Sequence, residues 1–240
     1  RPAIAPLGEC KPNTQIFREL AAHMVLGDPC FADDDDALLR QALATTDPKM
    51  TTVTYDALME HGWVRLNVPT PFVPYAEGGF PTPSGKCEFH SERMAQMGLD
   101  PLPAFTAPHE FPERVPKLAA KYPLTLISSP RHQFLNSTFV NIASLRRDAE
   151  PEVVLHLADA ERRGIVDGMP VVVFNDRGAF SAVARVGDAV RRGVACAPSI
   201  WWGKLTSDGH NANETTSQKL TDMGGGPVFY DNLVEVLPAE

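Results

Sequence analysis

Residues 164–186 read GIVDGMPVVVFNDRGAFSAVARV, and this stretch decides the fold class. Asp167-Gly168 is a tight-turn signal ahead of a valine-rich run, and Asp176-Arg177-Gly178 is a turn between that run and the next. The second run alternates apolar and polar residues, as a half-buried strand does. The sequence therefore predicts a hairpin of strands Met169–Phe174 and Phe180–Val186, whose valines fill a small barrel.

Further short strands surround this hairpin. Four more apolar or loosely alternating runs lie at Leu124–Ile127, Glu152–Leu157, Gly193–Ile200 and Leu233–Leu237. Only two helical segments lie among them, at Val140–Arg147 and Ala158–Arg163. About six short strands punctuated by glycine are typical of a compact β-barrel, so we predict a mainly β fold with short helices.

The front half of the chain is different in composition. It holds 15 of the 22 prolines within residues 1–120, clustered in 69–83 and 101–116. Proline fixes φ and lacks an N–H, so neither cluster is helical or central in a sheet. Helical periodicity predicts short helices at Pro12–Met24, Asp33–Ala44 and Tyr55–Gly62. We predict a proline-rich α/extended segment over 1–118 and a barrel domain over 119–240.

The charge balance excludes some classes of function. Lys plus Arg number 22 and Asp plus Glu number 30, a formal net charge of −8, so no basic footprint for nucleic acid exists. No apolar run approaches the ~18–20 residues of a transmembrane helix, so we expect no direct membrane insertion. The chain begins with Arg1 and carries no apolar signal-like stretch. We interpret it as a piece of a longer protein, cytoplasmic rather than periplasmic.

The sequence predicts no metal site and no catalytic residue. The cysteines are Cys10, Cys30, Cys87 and Cys196, without a C-x-x-C pair that would suit zinc or an iron–sulfur cluster. The run Asp33–Asp36 lacks the glycine and distal glutamate of a calcium loop and suits a helix start. No Ser/His/Asp or Cys/His set stands out.

Two polar loops are the candidates for ligand binding. The first, Ser128–Thr138, follows a strand, and Arg131 in it can fork two N–H donors onto a phosphate. An ordinary polar loop, with Asn136 or Ser137 capping the next helix, explains the same residues equally simply. The second loop is long and aperiodic from Trp201 onward, and its three glycines at 224–226 allow a nest of N–H groups for an anion. Plain packing of the tryptophans and a plain flexible glycine loop are the alternatives.

Motifs in order along the chain resemble the C-terminal part of a molybdopterin oxidoreductase of the dimethyl sulfoxide reductase family. They are FPTPSGKCEFHSE at 80–92, the loop at 126–138, the hairpin at 165–178, and WWG at 201–203, NAN at 211–213 and TDMGGG at 221–226. The resemblance implies a double-psi β-barrel of the aspartate-decarboxylase-like kind. It also implies a bis-molybdopterin guanine dinucleotide cofactor with molybdenum or tungsten, held by a bacterial electron-transfer enzyme.

The resemblance further implies which residues contact that cofactor. The matching positions are Ser128, Arg131, His132, Asn136, Ser137, Trp202, Asn213, Thr216 and Asp222. Thr215 stands where the family usually has leucine.

What the chain lacks bears on its activity. The family's C-x-x-C-x-x-x-C motif and its metal-ligating residue are absent from this sequence. We therefore expect the iron–sulfur cluster in the missing part of the parent, and the chain alone to be inactive and empty of cofactor. The expected partners are the rest of the oxidoreductase chain and electron-transfer subunits. The alternative is a non-catalytic double-psi barrel serving as a binding module or as a small subunit of a larger complex.

Overall fold

The computed structural model describes residues 4–147 and 149–239. The chain divides into two compact units, Arg1–Cys87 and Glu88–Glu240. This division falls earlier than the boundary predicted at residue 118. The stretch 88–118 is counted with the second unit because it is tied to the barrel there. The carboxylate of Asp231 accepts the backbone N–H groups of His109 and Glu110, the latter at 2.6 Å.

The first unit is built of short helices. They are α1 (Asn13–His23), α2 (Asp35–Leu43) and α3 (Tyr55–His61), with 3₁₀ turns at Pro29–Ala32 and Pro48–Met50. Two helices begin at side-chain caps, because Asp34 accepts the N–H of Ala37 and Thr54 accepts that of Ala57. The three helices predicted from periodicity are confirmed, with ends that differ by at most two residues.

The first unit buries very little. Among its described residues only Ala21 and Val53 are buried. Large apolar side chains lie exposed instead, including Trp63 at 74% and Phe17 at 64%. A unit with so little buried apolar surface gains little stability from its own packing.

The described residues of the second unit form four α-helices and a closed barrel. The helices are α4 (Glu92–Gln96), α5 (Pro116–Lys121), α6 (Ala143–Arg146) and α7 (Leu157–Glu161). The strands are β1 (Leu124–Ile127), β2 (Glu152–His156), β3 (Pro170–Phe174), β4 (Ala179–Gly187), β5 (Val194–Cys196) and β6 (Leu233–Pro238). Their order around the barrel is β1-β5-β2-β4-β3-β6, and β6 pairs back with β1. The predicted mainly β barrel of six strands is confirmed.

The predicted hairpin forms the antiparallel pair β3–β4, with Val171 opposite Ala182 and Val173 opposite Phe180. Parallel pairing joins β1 to β5 and β2 to β4. Such parallel pairs are compatible with the double-psi connection, which stays a prediction. Alternate residues of the strands point inward and form one apolar core, which includes Leu124, Leu126, Val153, Leu155, Val171, Val173, Val234 and Val236.

The helix predicted at Val140–Arg147 is shorter than expected. Only Ala143–Arg146 is helical, and no side chain caps it. Phe139 just before this segment has φ 71°, a left-handed conformation that cannot belong to a right-handed helix. The residue that precedes this helix is Ile142, so Asn136 and Ser137 do not cap it, and both interpretations of the loop stay predictions.

Two further properties concern the described residues as a whole. None of the helices within 4–147 and 149–239 has the length and apolarity to cross a bilayer. Within the same ranges, no three or more His, Cys, Asp or Glu side chains gather where they could hold a metal ion.

Candidate functional site

The two polar loops leave the barrel at the same end. Strands β1 and β5 are parallel, with Ile127 opposite Cys196 in the register. The segment from Ser128 therefore follows β1 at the end where the segment from Ala197 follows β5. Loops that follow adjacent parallel strands meet at one edge of a sheet, which is where α/β and related folds place ligands.

Direct contacts join these two loops. The indole N–H of Trp202 donates to the carbonyl of Ser137 at 2.9 Å. The hydroxyl of Ser199 accepts the backbone N–H of Arg131 at 3.0 Å and donates to the carbonyl of Phe134 at 3.3 Å. Phe134 also packs edge-to-face on Trp201, with ring centroids 5.4 Å apart. The loop after β1 is thus fixed on a small apolar cluster of its own.

The predicted side chains of the first loop point outward from this cluster. His132, Asn136 and Ser137 are exposed, and Ser128 is half-buried. Asn136 and Phe139 both have positive φ, at 47° and 71°. Non-glycine residues in that region are strained, and such strain concentrates at ligand-binding loops.

Arg131 is held differently from the prediction. Its Nη2 lies 2.7 Å from a carboxylate oxygen of Glu152 and donates to the carbonyl of Glu150 at 3.2 Å. The Arg131 side chain is 13% exposed, and its Nε is buried without a hydrogen-bond partner among the described residues. A guanidinium has five N–H donors, and Nη2 carries two of them. Because Nε is buried, the two donors of Nη1 are the ones left for a ligand, and a phosphate contact would share Arg131 with Glu152.

Two further predicted residues, Asn213 and Thr216, lie on a compact turn formed by residues 211–216. Asn211 accepts the N–H of Asn213 at 3.0 Å and donates to the carbonyl of Trp201 at 2.9 Å. The turn therefore follows directly from the loop after β5. It presents Asn213 as exposed and Thr216 as half-buried, while Thr215 between them is fully buried.

Asn213 and Thr216 open onto a cavity of about 350 Å³, which Lys219 and Phe229 also line. A second cavity of about 420 Å³ is lined by Asp222 and Tyr230. The two cavities share Pro227, Val228 and Phe229 as lining residues, so they adjoin.

The cavity of Asp222 connects with the first loop. The hydroxyl of Tyr230 donates to the carbonyl of Ser128 at 3.3 Å. This contact links the first loop at Ser128 with the cavity of Asp222, which adjoins the cavity of Asn213 and Thr216.

Sequence reasoning missed several residues of this region. His109 and Arg114 line the cavity of Asp222, although they belong to a proline-rich stretch predicted to be a linker. His109 reaches it because its Nε2 lies 3.0 Å from the carbonyl of Leu220. Tyr230 and Lys219 lie in sequence that has neither strand nor helix periodicity. No local signal identifies them, because only the folded barrel brings them together.

Asp208 fixes the loop after β5 to the barrel wall. Its carboxylate accepts the N–H of Ser181 in β4 at 2.6 Å and that of His210 at 3.0 Å. Partial burial opposes ionisation of this carboxyl, but the hydrogen bonds from His210 and Ser181 outweigh it and hold the pKa of Asp208 below its ordinary value. The charged form is therefore the one that fastens the loop.

The donor set of this region suits an elongated polyanion with a pyrophosphate. Cationic groups line both cavities, Lys219 in one and Arg114 in the other. The hydroxyls of Thr216, Ser217 and Thr221 stand beside them. Cations and hydroxyls are the groups that bind phosphate oxygens, and the indole and phenyl rings offer faces for planar groups. A dinucleotide cofactor fits these residues.

Comparison with known proteins identifies the domain. Residues 124–233 match the family described as "Molydopterin dinucleotide binding domain". The chain is 36% identical over 98% of its length to a probable oxidoreductase, YoaE, of Bacillus subtilis, and covers 33% of it. It is 30% identical over 98% of its length to a putative catalytic chain of dimethyl sulfoxide reductase from Halobacterium salinarum, and covers 28% of it. The chain thus spans about a third of the length of these curated relatives.

A solved structure shares the fold. Acetylene hydratase from Pelobacter acetylenicus superposes with a TM-score of 0.72 at 24% identity, over 98% of this chain and 34% of that one. The barrel, its two joined loops and the family match agree with one another. Residues 124–233 form a molybdopterin dinucleotide binding domain, and the chain is similar over 98% of its length to proteins named as members of the dimethyl sulfoxide reductase family.

Proposed function

We propose that this chain holds the molybdopterin guanine dinucleotide of a molybdenum or tungsten oxidoreductase, and that it is inactive without the rest of that enzyme. The observation that supports this most is the meeting of the two polar loops at one barrel end, with Trp202 bonded to Ser137. The bound cofactor and its metal ion supply the two-electron chemistry. The chain's own residues bind and orient the dinucleotide.

The roles of these residues follow from their placement. The exposed side chains of His132, Asn136 and Ser137 offer donors and acceptors at the mouth of the first loop. Asn213 and Thr216 do the same at the adjoining cavity, and Lys219 supplies a positive charge there. Asp222, as an acceptor, suits the N–H groups of a guanine ring. Ser128 bonds through its carbonyl to Tyr230, and this contact holds the first loop beside the cavity.

The exposed apolar side chains of the first unit support a larger parent protein. Phe17, Trp63 and Phe72 are each exposed by 45% or more. Apolar surface of this extent on a small unit is typical of a contact surface. We infer that the remaining part of the oxidoreductase covers it.

Arg131→Ala in the oxidoreductase that contains this chain tests the proposal. If Arg131 shares its remaining donors with the cofactor phosphates, the variant loses about tenfold to a hundredfold in cofactor affinity, as for a charge-assisted hydrogen bond. The measurement is guanine nucleotide released per chain on denaturation. Arg131→Lys restores the affinity only in part, because an ammonium cannot form the two-point fork.

Arg185→Ala is the matched control. Arg185 contacts the same two residues, here through both carboxylates, with Nη2 2.8 Å from Glu150 and Nε 3.3 Å from Glu152, but it lies on β4. The Arg185→Ala variant should lose a comparable ion pair and keep its cofactor. Equal cofactor content in Arg131→Ala and wild type, or equal loss in both variants, would show that Arg131 does not contact the cofactor.

A further inference from the structure

We propose that Arg177, fixed by Glu110, is a positioning residue that sets the conformation of the 211–216 turn and so presents Asn213 and Thr216 to the ligand. The ligand in this inference is the cofactor of the proposed function, whereas the position of the turn depends only on contacts within the chain. Neither residue belongs to the predicted cofactor contacts. Arg177 contacts the turn directly, and Glu110 contacts Arg177.

The first observation is a two-point ion pair. Arg177 contacts both carboxylate oxygens of Glu110, through Nη1 to Oε1 and through Nη2 to Oε2, the latter at 3.1 Å. The Glu110 side chain is only 6% exposed. Its Oε2 also accepts the N–H of Leu233, where β6 begins, at 2.8 Å. A buried carboxylate without such partners would be strongly destabilising, so the pair fixes the position of the guanidinium.

The second observation is what the guanidinium then holds. Its Nε donates to the carbonyl of Thr215 at 2.6 Å. The side-chain amide of Asn175, at the start of the same hairpin turn, donates to that carbonyl at 2.9 Å. Two donors from the β3–β4 turn therefore hold one carbonyl of the 211–216 turn.

Asn232 completes the arrangement from the other side. Its oxygen accepts from Arg177 Nη2 at 3.0 Å and from Asn175 at 3.0 Å. Its amide nitrogen donates to the hydroxyl of Thr215 at 2.8 Å. All three nitrogens of Arg177 are thus bonded, and Thr215 is held at its carbonyl and at its hydroxyl.

The third observation is the close approach of backbone to backbone. A Cβ atom on Gly178 would lie 2.8 Å from the carbonyl oxygen of Glu214. The β3–β4 turn therefore packs directly against the 211–216 turn, with no room for a side chain between them. Because Thr215 is held at this contact, its neighbours Asn213 and Thr216 have fixed directions toward their cavity.

Amide hydrogen exchange on the full chain tests the geometry without any cofactor. In Arg177→Lys, one ammonium cannot donate to Thr215 and fork onto Glu110 at once. We expect the amides of Glu214 and Thr216 to exchange about tenfold faster than in wild type, the loss of one charge-assisted hydrogen bond. Glu110→Gln keeps the shape of the side chain and should give a smaller increase at the same amides.

Arg163→Lys is the matched control. Arg163 forms an ion pair of similar burial, with Nε 2.6 Å from Glu235 and Nη1 2.9 Å from the carbonyl of Asp159. Neither partner belongs to the 211–216 turn. This variant should lose stability without a specific rise in exchange at Glu214 and Thr216. If Arg177→Lys leaves that exchange unchanged, or if Arg163→Lys raises it equally, the positioning role is wrong.

A second measurement keeps this inference separate from the proposed function. In the oxidoreductase that contains this chain, Arg177→Lys should release its cofactor about tenfold faster, and Arg163→Lys should not. Faster exchange in the turn together with unchanged cofactor release would leave the positioning role intact. It would show instead that Asn213 and Thr216 do not bind the cofactor.

Discussion

Thr215 is fully buried, yet it carries a hydroxyl that bonds in two directions. It donates to the carbonyl of Ala212 at 2.9 Å and accepts from Asn232 at 2.8 Å. Thr215→Val keeps the shape but removes the acceptor, so a donor of Asn232 is left unsatisfied inside the protein. We expect a loss of about 1–3 kcal/mol in the free energy of unfolding, measured by urea denaturation. Thr216→Val, at a half-buried position one residue on, should lose clearly less.

Asp208 predicts a pH dependence at the same loop. Its pKa is held below the ordinary value, so its contribution to stability is present above the ordinary pKa of 3.8 and is lost as the pH falls through the folded-state pKa. Asp208→Asn should therefore melt below wild type at pH 7. The difference should shrink on acidification through and below pH 3.8, measured as thermal midpoints over that range. A difference that stays constant with pH would contradict this.

The contact between two turns can be tested with glycine variants. Gly178→Ala would place a Cβ 2.8 Å from the Glu214 carbonyl oxygen, and backbone on both sides must then move. We expect a loss of about 1–3 kcal/mol in the free energy of unfolding, as for other overpacked sites. Gly187→Ala, at the far end of the strand that follows Gly178, meets nothing within 4 Å and should change stability by less than about 0.5 kcal/mol. Equal effects in the two variants would mean that the turns do not press on each other.

Strands were predicted correctly where the pattern of apolar residues lies within the strand itself. The alternation at 180–186 and the apolar run at 124–127 each predicted a strand, and β4 and β1 lie there. The pattern failed at Val140–Arg147, where apolar spacing suggested a helix but Ile142 and Arg147 have non-helical backbone conformations and leave only one turn between them. At 101–116 the sequence gives no sign of the bonds from Asp231 and Arg177 to His109 and Glu110, because only the folded barrel brings these residues together.

The site residues rest on a different kind of reasoning. The nine predicted residues came chiefly from the resemblance and not from composition, and their contact with a cofactor stays a prediction. What sequence could not predict is that Arg131 is already paired with Glu152, since the two are joined only by the fold.

At the scale of the whole chain, the two units should differ in local stability. Helices α1–α3 belong to a unit whose buried residues, among those described, are Ala21 and Val53, whereas β2 and β4 line a closed core. Amides of α1–α3 should therefore exchange at least about a hundredfold faster than those of β2 and β4 in the isolated chain. Hydrogen exchange followed by mass spectrometry measures this. Equal protection of the amides in both units would contradict the prediction that the first unit has little stability of its own.

The barrel closes where its first and last strands in the sequence, β1 and β6, pair with each other, with Leu124 opposite Val234. A chain still emerging from the ribosome has β1 long before it has β6, and until then β1 and β3 are open edges. Leu233, at the start of β6, also supplies the N–H that Glu110 accepts, so the support under the 211–216 turn is complete only after β6 is made. If the chain holds a dinucleotide as proposed, the complete support for its site therefore exists only once β6 has been synthesised and paired.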